Sequence, residues 1–217
     1  MLDRFVVTGC GRSGTRFVAE LLTASGVRCG HEAAHSHAAR GRWPAGLVAD
    51  SSWMAACMLD VVTVPVVLLV RHPLAVVRSW VEIGFFSRDA GNPTHGPLRS
   101  AYPEVYRHPE PHDRALAMWV KLTSATLQRA ELVLRLEDLA AGPGPLRRLL
   151  GWCGGDPGRA DQAHAAVGRV NRHEASRRAT GISWSPAWEQ HDGALAARAW
   201  GLADDLGLGP DEEVTSG

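Results

Sequence analysis

A chain of 217 residues that is 45% hydrophobic can bury one sizeable core and lies within the usual size of a single domain. Its 23 basic and 23 acidic residues cancel, so the whole-chain field gives no reason to expect nucleic acid or an anionic membrane as partner, and any anion site must be local. Lysine occurs once, at Lys121, which leaves arginine to carry the anion chemistry.

In chain order, the Asp3-Arg4 pair is followed at once by a short apolar run and a glycine loop, which is neither a signal peptide nor a membrane span. Cys10, Cys29, Cys57 and Cys153 are scattered without a CxxC pair, and a chain this large needs no disulfide framework. A soluble, cytoplasmic protein is expected. Residues 5–8 and 64–70 are short continuous apolar runs bounded by breakers, as in strands buried on both faces, and 132–136 is a third such run. Helical spacing lies between them. It is carried by Phe17, Leu21 and Leu22, then by Leu74, Val77 and Val81, then by Leu116, Trp119, Val120 and Leu127.

Residues 84–111 interrupt this rhythm with glycines, prolines, His95, His108 and two tyrosines; they read as a substrate lid or as a solvated insertion. After Trp152 come a polar helix, an arginine-rich loop and a final helix near 195–206. The alternation predicts an α/β fold, a three-layer α/β/α domain over residues 1–210 with a central, mainly parallel, doubly wound sheet. Ligands are then expected at the carboxyl ends of the strands. The acidic segment 211–217 reads as a disordered tail.

The first strand runs into GCGRSGTR, residues 9–16, and then into a helix, so glycine-permitted turns aim backbone N–H groups and a helix N-terminus at one point. Arg12, Ser13 and Thr15 add donors that a plain turn would not need. A nucleotide triphosphatase requires GxxxxGK[ST]. Gly9 and Gly14 have that spacing, but Thr15 stands where the lysine belongs. The strand at 64–70 ends in Arg71 rather than in a magnesium-binding aspartate. The third strand ends in Glu137-Asp138, which reads as a helix cap with a first-turn acid or, less simply, as a metal carboxylate.

Taken together, these features resemble the PAPS-dependent sulfotransferase superfamily. Its strand-loop-helix of pattern xxx[KR]SGT[TS] is matched by Gly11, Arg12, Ser13, Gly14 and Thr15, followed by Arg16. Its R-x-P strand end with a serine eight residues on is matched by Arg71-His72-Pro73 and Ser79, and its EDL element by Glu137-Asp138-Leu139. Its basic loop before a tryptophan is similar to Arg177-Arg178 ahead of Trp184. The resemblance implies a P-loop NTPase-like fold in which residues 11–16 bind the 5′-phosphosulfate of 3′-phosphoadenosine 5′-phosphosulfate (PAPS). Arg71 and Ser79 would bind the 3′-phosphate, and Arg177 and Arg178 would complete the cofactor site. It also implies a small-molecule or carbohydrate acceptor, the bisphosphate PAP as product, and no metal.

In that scheme Arg12 neutralises the leaving 5′-phosphate; its guanidinium does not give up a proton, so it can only stabilise charge. The resemblance implies a catalytic base at the end of the strand after the first helix, where Glu32 is preferred and His31 is second; an Asp50-Ser51 turn further along the chain is third. A rival lies in the same place, because His31-Glu32-Ala33-Ala34-His35 is an HExxH string, which on a helix would bind zinc. Ala38 and Gly41 stand where a metzincin would continue, and of the rival functions a zinc peptidase is the least favoured. A small-molecule kinase and a non-enzymatic nucleotide-binding module are also compatible with a phosphate-gripping loop. Trp53, Trp80 and Trp119 are assigned to the core, whereas Trp184 and Trp188 could stack on adenine or line the acceptor pocket. Acceptor identity and oligomeric state are not readable.

Overall fold

The computed structural model describes residues 2–87, 94–167, 189 and 191–209. Among these, five strands form one parallel sheet: β1 (Phe5–Thr8), β2 (Cys29–His31), β3 (Ala49–Ser51), β4 (Val66–Val70) and β5 (Ala130–Arg135). Their order is β2-β3-β1-β4-β5, with Phe5 beside Ala49, Cys29 beside the same Ala49, and Val7 beside Val67. The helices are α1 (Thr15–Ala24), α2 (Trp53–Ala56), α3 (Pro73–Glu82), α4 (His95–Ala101), α5 (Pro111–Leu127), α6 (Leu136–Ala141), α7 (Gly144–Cys153), α8 (Ala160–Val167) and α9 (Gly193–Asp205). The α/β expectation holds: a central parallel sheet is flanked by helices. β1 lies in the middle, with the chain first turning to one side of it and then crossing to the other, so the switch point falls at its carboxyl end.

The described residues divide into two compact units, one drawn from 2–71 and 125–167, the other from 72–124 and 189–209. In the first, Phe5, Val7, Val67 and Leu69 point to one face of the sheet. They pack there with Val18, Leu21 and Leu22 of α1, Leu146, Leu149 and Leu150 of α7, and Ala163 of α8. Each fully buried leucine or phenylalanine contributes about 1.5–3 kcal/mol relative to exposure. Val6 and Val66, one residue out of step, face the other way, against Ala55 and Val62. Helix α1 ends where Ser25 turns its hydroxyl back to the Leu21 carbonyl at 2.8 Å and Gly26 adopts φ 84°.

The second unit includes α3, α4, most of α5, and α9. Pro73 opens α3, where its fixed φ suits a first turn, and Asp192 caps α9 by accepting from the Leu195 N–H at 3.0 Å. Trp80 and Trp119 are buried as expected, while Trp53 is half-buried. The described part of the 84–111 stretch is packed rather than open. Phe85 lies 4.1 Å from Trp80 and 4.3 Å from His95 between ring centroids, and His95 Nδ1 pairs with the Tyr106 hydroxyl at 3.0 Å. Arg114 fastens the stretch by donating to the carbonyls of His108 (2.7 Å), Phe86 (3.2 Å) and Pro109 (3.2 Å). The expected disordered tail at 211–217 lies outside the described residues, as do Arg177, Arg178, Trp184 and Trp188. Among the described residues, no helix is long and apolar enough to cross a membrane.

Candidate functional site

Six residues separate β1 from α1, and each unusual backbone angle among them has a local cause. A Cβ at Gly9 would stand 2.0 Å from the Leu69 carbonyl oxygen, so only glycine lets the chain leave β1 this close to β4. Arg12 and Gly14 both take left-handed conformations, with φ 72° and 91°. At Arg12 this costs about 1–2 kcal/mol, the kind of backbone strain that clusters at ligand-gripping turns. The space that a Gly14 Cβ would need is filled by Leu136, the first residue of α6, 2.6 Å away. Among the described residues no side chain caps α1, so its first-turn N–H groups and the positive end of the helix are available to an anion. Ser13 is 1% exposed and, among the described residues, its hydroxyl has no hydrogen-bond partner, which leaves it able to donate to an anion.

Arg71 leaves the end of β4 and donates from its guanidinium to the Arg12 carbonyl at 3.2 Å, joining two residues 59 apart in sequence at the rim of this loop. Arg16, expected to join them, lies on the exposed side of α1 and pairs with Glu20 at 3.2 Å. Ser79 stands on the buried face of α3, in the second unit. Arg177 and Arg178 cannot be placed, being outside the described residues.

The carboxyl ends of β2 and β3 are laced to the start of α1. Thr15 Oγ1 lies 3.3 Å from His31 Nε2, and the Thr15 carbonyl accepts from the Ser51 hydroxyl at 2.7 Å. His31 Nε2 is in turn 3.9 Å from Glu32 Oε1, with the two side chains 37% and 34% exposed. Glu32 is held left-handed at φ 56°, its N–H donating to the Ser51 carbonyl at 3.3 Å. Both base candidates therefore sit beside the loop, and both remain reachable from solvent.

Asp50 corrects two expectations. It lies in strand β3, not in a turn, and is fully buried. Its carboxylate accepts from the N–H groups of Ala33 (2.9 Å), Ala34 (3.2 Å) and His35 (2.8 Å) and from His35 Nδ1 (2.9 Å). A carboxylate so saturated serves as a clamp on residues 33–35 and is not available as a base. The HExxH string is likewise not helical: His31 ends a strand, while His35 is buried with its ring on Asp50. The two imidazoles do not share a helix face, and the zinc peptidase reading loses its geometry. Burial pushes the Cys29 thiol up and the Asp50 charge adds to this, which disfavours the thiolate.

At the end of β5, Glu137 and Asp138 occupy the first turn of α6, and Asp138 lies 3.6 Å from the Arg135 guanidinium. Leu139 is buried in the core of the first unit. The acidic pair thus meets the dipole of its own helix as first-turn acids, but neither caps it, since Arg135 holds the N-cap position without a side-chain cap; the residue that touches the glycine loop is Leu136.

A parallel sheet with a central first strand, a glycine loop at its carboxyl end and a helix rising from that loop defines a P-loop-like α/β fold. No family model matches the sequence, and no curated protein matches it. Among solved structures, the sulfotransferase domain of the olefin synthase of Synechococcus PCC 7002 has the same fold, with a TM-score of 0.56 over 94% of each chain and 15% sequence identity.

Proposed function

We propose that this chain is a sulfotransferase that moves a sulfuryl group from PAPS to a hydroxyl or amine of a small-molecule or carbohydrate acceptor. The observation that carries the reading is the convergence of Arg12, Arg71 and the unpartnered Ser13 hydroxyl on one left-handed glycine loop at the switch point of the sheet. Support also comes from the shared fold with a sulfotransferase domain and from the R-x-P strand end with Ser79 eight residues on.

In this scheme the loop N–H groups and Ser13 hold the 5′-phosphate, and Arg71 takes the 3′-phosphate as a bidentate fork. The acceptor oxygen or nitrogen attacks sulfur in line, the bond from sulfur to the 5′-phosphate oxygen breaks, and the bisphosphate PAP leaves with the electron pair. Arg12 stabilises that negative charge. The acceptor proton passes to Glu32 or to His31, whose nitrogen stands between Glu32 and Thr15. Catalysis is then mainly positioning and charge stabilisation, and metal is not required.

The test is calorimetric titration of the full chain with PAP, with and without magnesium, on the wild type and on Arg71→Ala. Tight, magnesium-independent binding that Arg71→Ala weakens by at least about tenfold, a loss of roughly 1.4 kcal/mol, supports the reading. Failure to bind PAP, together with magnesium-dependent binding of ATP, would replace it with a kinase.

A further inference from the structure

The second unit holds a convergence of side chains that the nucleotide reading does not use. His112 and Asp113 lie in the first turn of α5, and His191 stands two residues before α9. Asp113 Oδ1 accepts from His191 Nδ1 at 2.8 Å and from the Asp192 N–H at 3.4 Å. His112 Nε2 lies 3.8 Å from the same oxygen, and the two imidazole rings meet edge to face with centroids 5.1 Å apart. One coordinating atom from each of the three residues lies within 4.8 Å of the other two. Asp113 and His191 are buried, at 6% and 7% exposure, and His112 is half-buried.

A hydrogen bond explains the pairing of Asp113 with His191. His112 Nε2, at 3.8 Å, approaches the same Asp113 oxygen without reaching hydrogen-bond distance. A single cation could bind one atom of each of the three. A zinc-class ion bonded to imidazole nitrogen and carboxylate oxygen at about 2.0–2.2 Å sets neighbouring ligand atoms about 3.3 Å apart. The two separations to Asp113 Oδ1, 2.8 and 3.8 Å, lie on either side of that value.

We propose that His112, Asp113 and His191 form a binding site for a divalent first-row transition metal ion of the zinc class, through two imidazole nitrogens and one carboxylate oxygen. Two imidazoles select against magnesium and calcium, which take oxygen ligands. Three protein ligands leave at least one coordination position open, as in zinc sites that take a water or a substrate group. The residues differ from those of the HExxH string, and the inference stands whether or not the chain binds PAPS. It departs from the expectation of a metal-free protein without putting metal into the transfer step.

The experiment uses the full chain stripped with a chelator and titrated with Co²⁺, read by ligand-field absorption, followed by back-titration with Zn²⁺. One Co²⁺ per chain, displaced by one Zn²⁺, is the expected result. Substituting His112→Ala or Asp113→Asn should weaken binding by at least about tenfold, the lower end of what even supporting residues at metal sites cost, and the exposed His37→Ala should leave it unchanged. Circular dichroism checks that each variant is folded. Zinc-edge X-ray absorption on the wild type, which needs no variant, should show two imidazoles per zinc. Absence of stoichiometric binding, or stoichiometric binding that folded His112→Ala and Asp113→Asn both retain, would overturn the site.

Discussion

Gly9, Asp50 and the pair His31 and Glu32 each make one kind of demand on this site, and each demand can be measured separately. At Gly9 the demand is steric, because any Cβ meets the backbone of β4 at 2.0 Å, which cannot swing away as a side chain could. Gly9→Ala should lower unfolding stability by about 3 kcal/mol or more in a urea melt, at the upper end of overpacking costs. Asp50 is an electrostatic hub with four donors on one buried carboxylate. Asp50→Asn turns two acceptor oxygens into one and sets an amide N–H₂ against backbone N–H donors. A loss of about 3–5 kcal/mol is expected, the cost of breaking a buried charge-assisted cluster. For His31 and Glu32 the demand is chemical. If Glu32 is the base, Glu32→Gln should cut kcat by about 10²–10⁴-fold while PAP binding in calorimetry stays unchanged; a greater loss in His31→Gln would assign the base to the histidine.

Among the elements, legibility in the sequence follows the length of the apolar run. β1 and β4 are visible because Phe5, Val6, Val7 and the VVLLV run are buried on both faces and admit no polar alternation; β5 is visible by its apolar run at 132–134, although as an edge strand among the described residues it buries only Leu134 fully. Helices α1, α3 and α5 are visible by their periodicity. β3 is not, because Ala49–Ser51 is three residues long and contains no run; β2, equally short, is anticipated only through the strand end that the resemblance implies at His31 and Glu32, and both are strands because β1 and β3 offer them a ladder. Hence Asp50 reads as part of a turn. The glycine loop is legible because left-handed turns leave a mark in residue type, whereas Asp113 and His191 meet across 78 positions with no local mark. The 84–111 stretch is less legible: its glycines and prolines suggest a lid or a solvated insertion, and its described part is held by an aromatic cluster and by Arg114. Arg114→Ala should release three carbonyls and destabilise this region by about 2 kcal/mol. Amide exchange should then speed up over 94–111 and stay unchanged in β1 and β4.

At the scale of the whole molecule, a chain with no net charge has no long-range field to gather anions, so under the proposed function the grip on a nucleotide would be made at contact by a few arginines. Such binding adds to stability by mass action. PAP at a hundred times its Kd should stabilise the chain by about 2.7 kcal/mol, which for this length raises Tm by roughly 5–10 °C. The comparison that matters is with 5′-AMP at the same concentration, because the two nucleotides differ only by the 3′-phosphate. Wild type should respond more strongly to PAP, and Arg71→Ala should lose most of that preference, since the cation assigned to the 3′-phosphate is gone. If Arg71→Ala keeps the full preference for PAP, Arg71 serves only to brace the Arg12 carbonyl, and the 3′-phosphate must be held elsewhere.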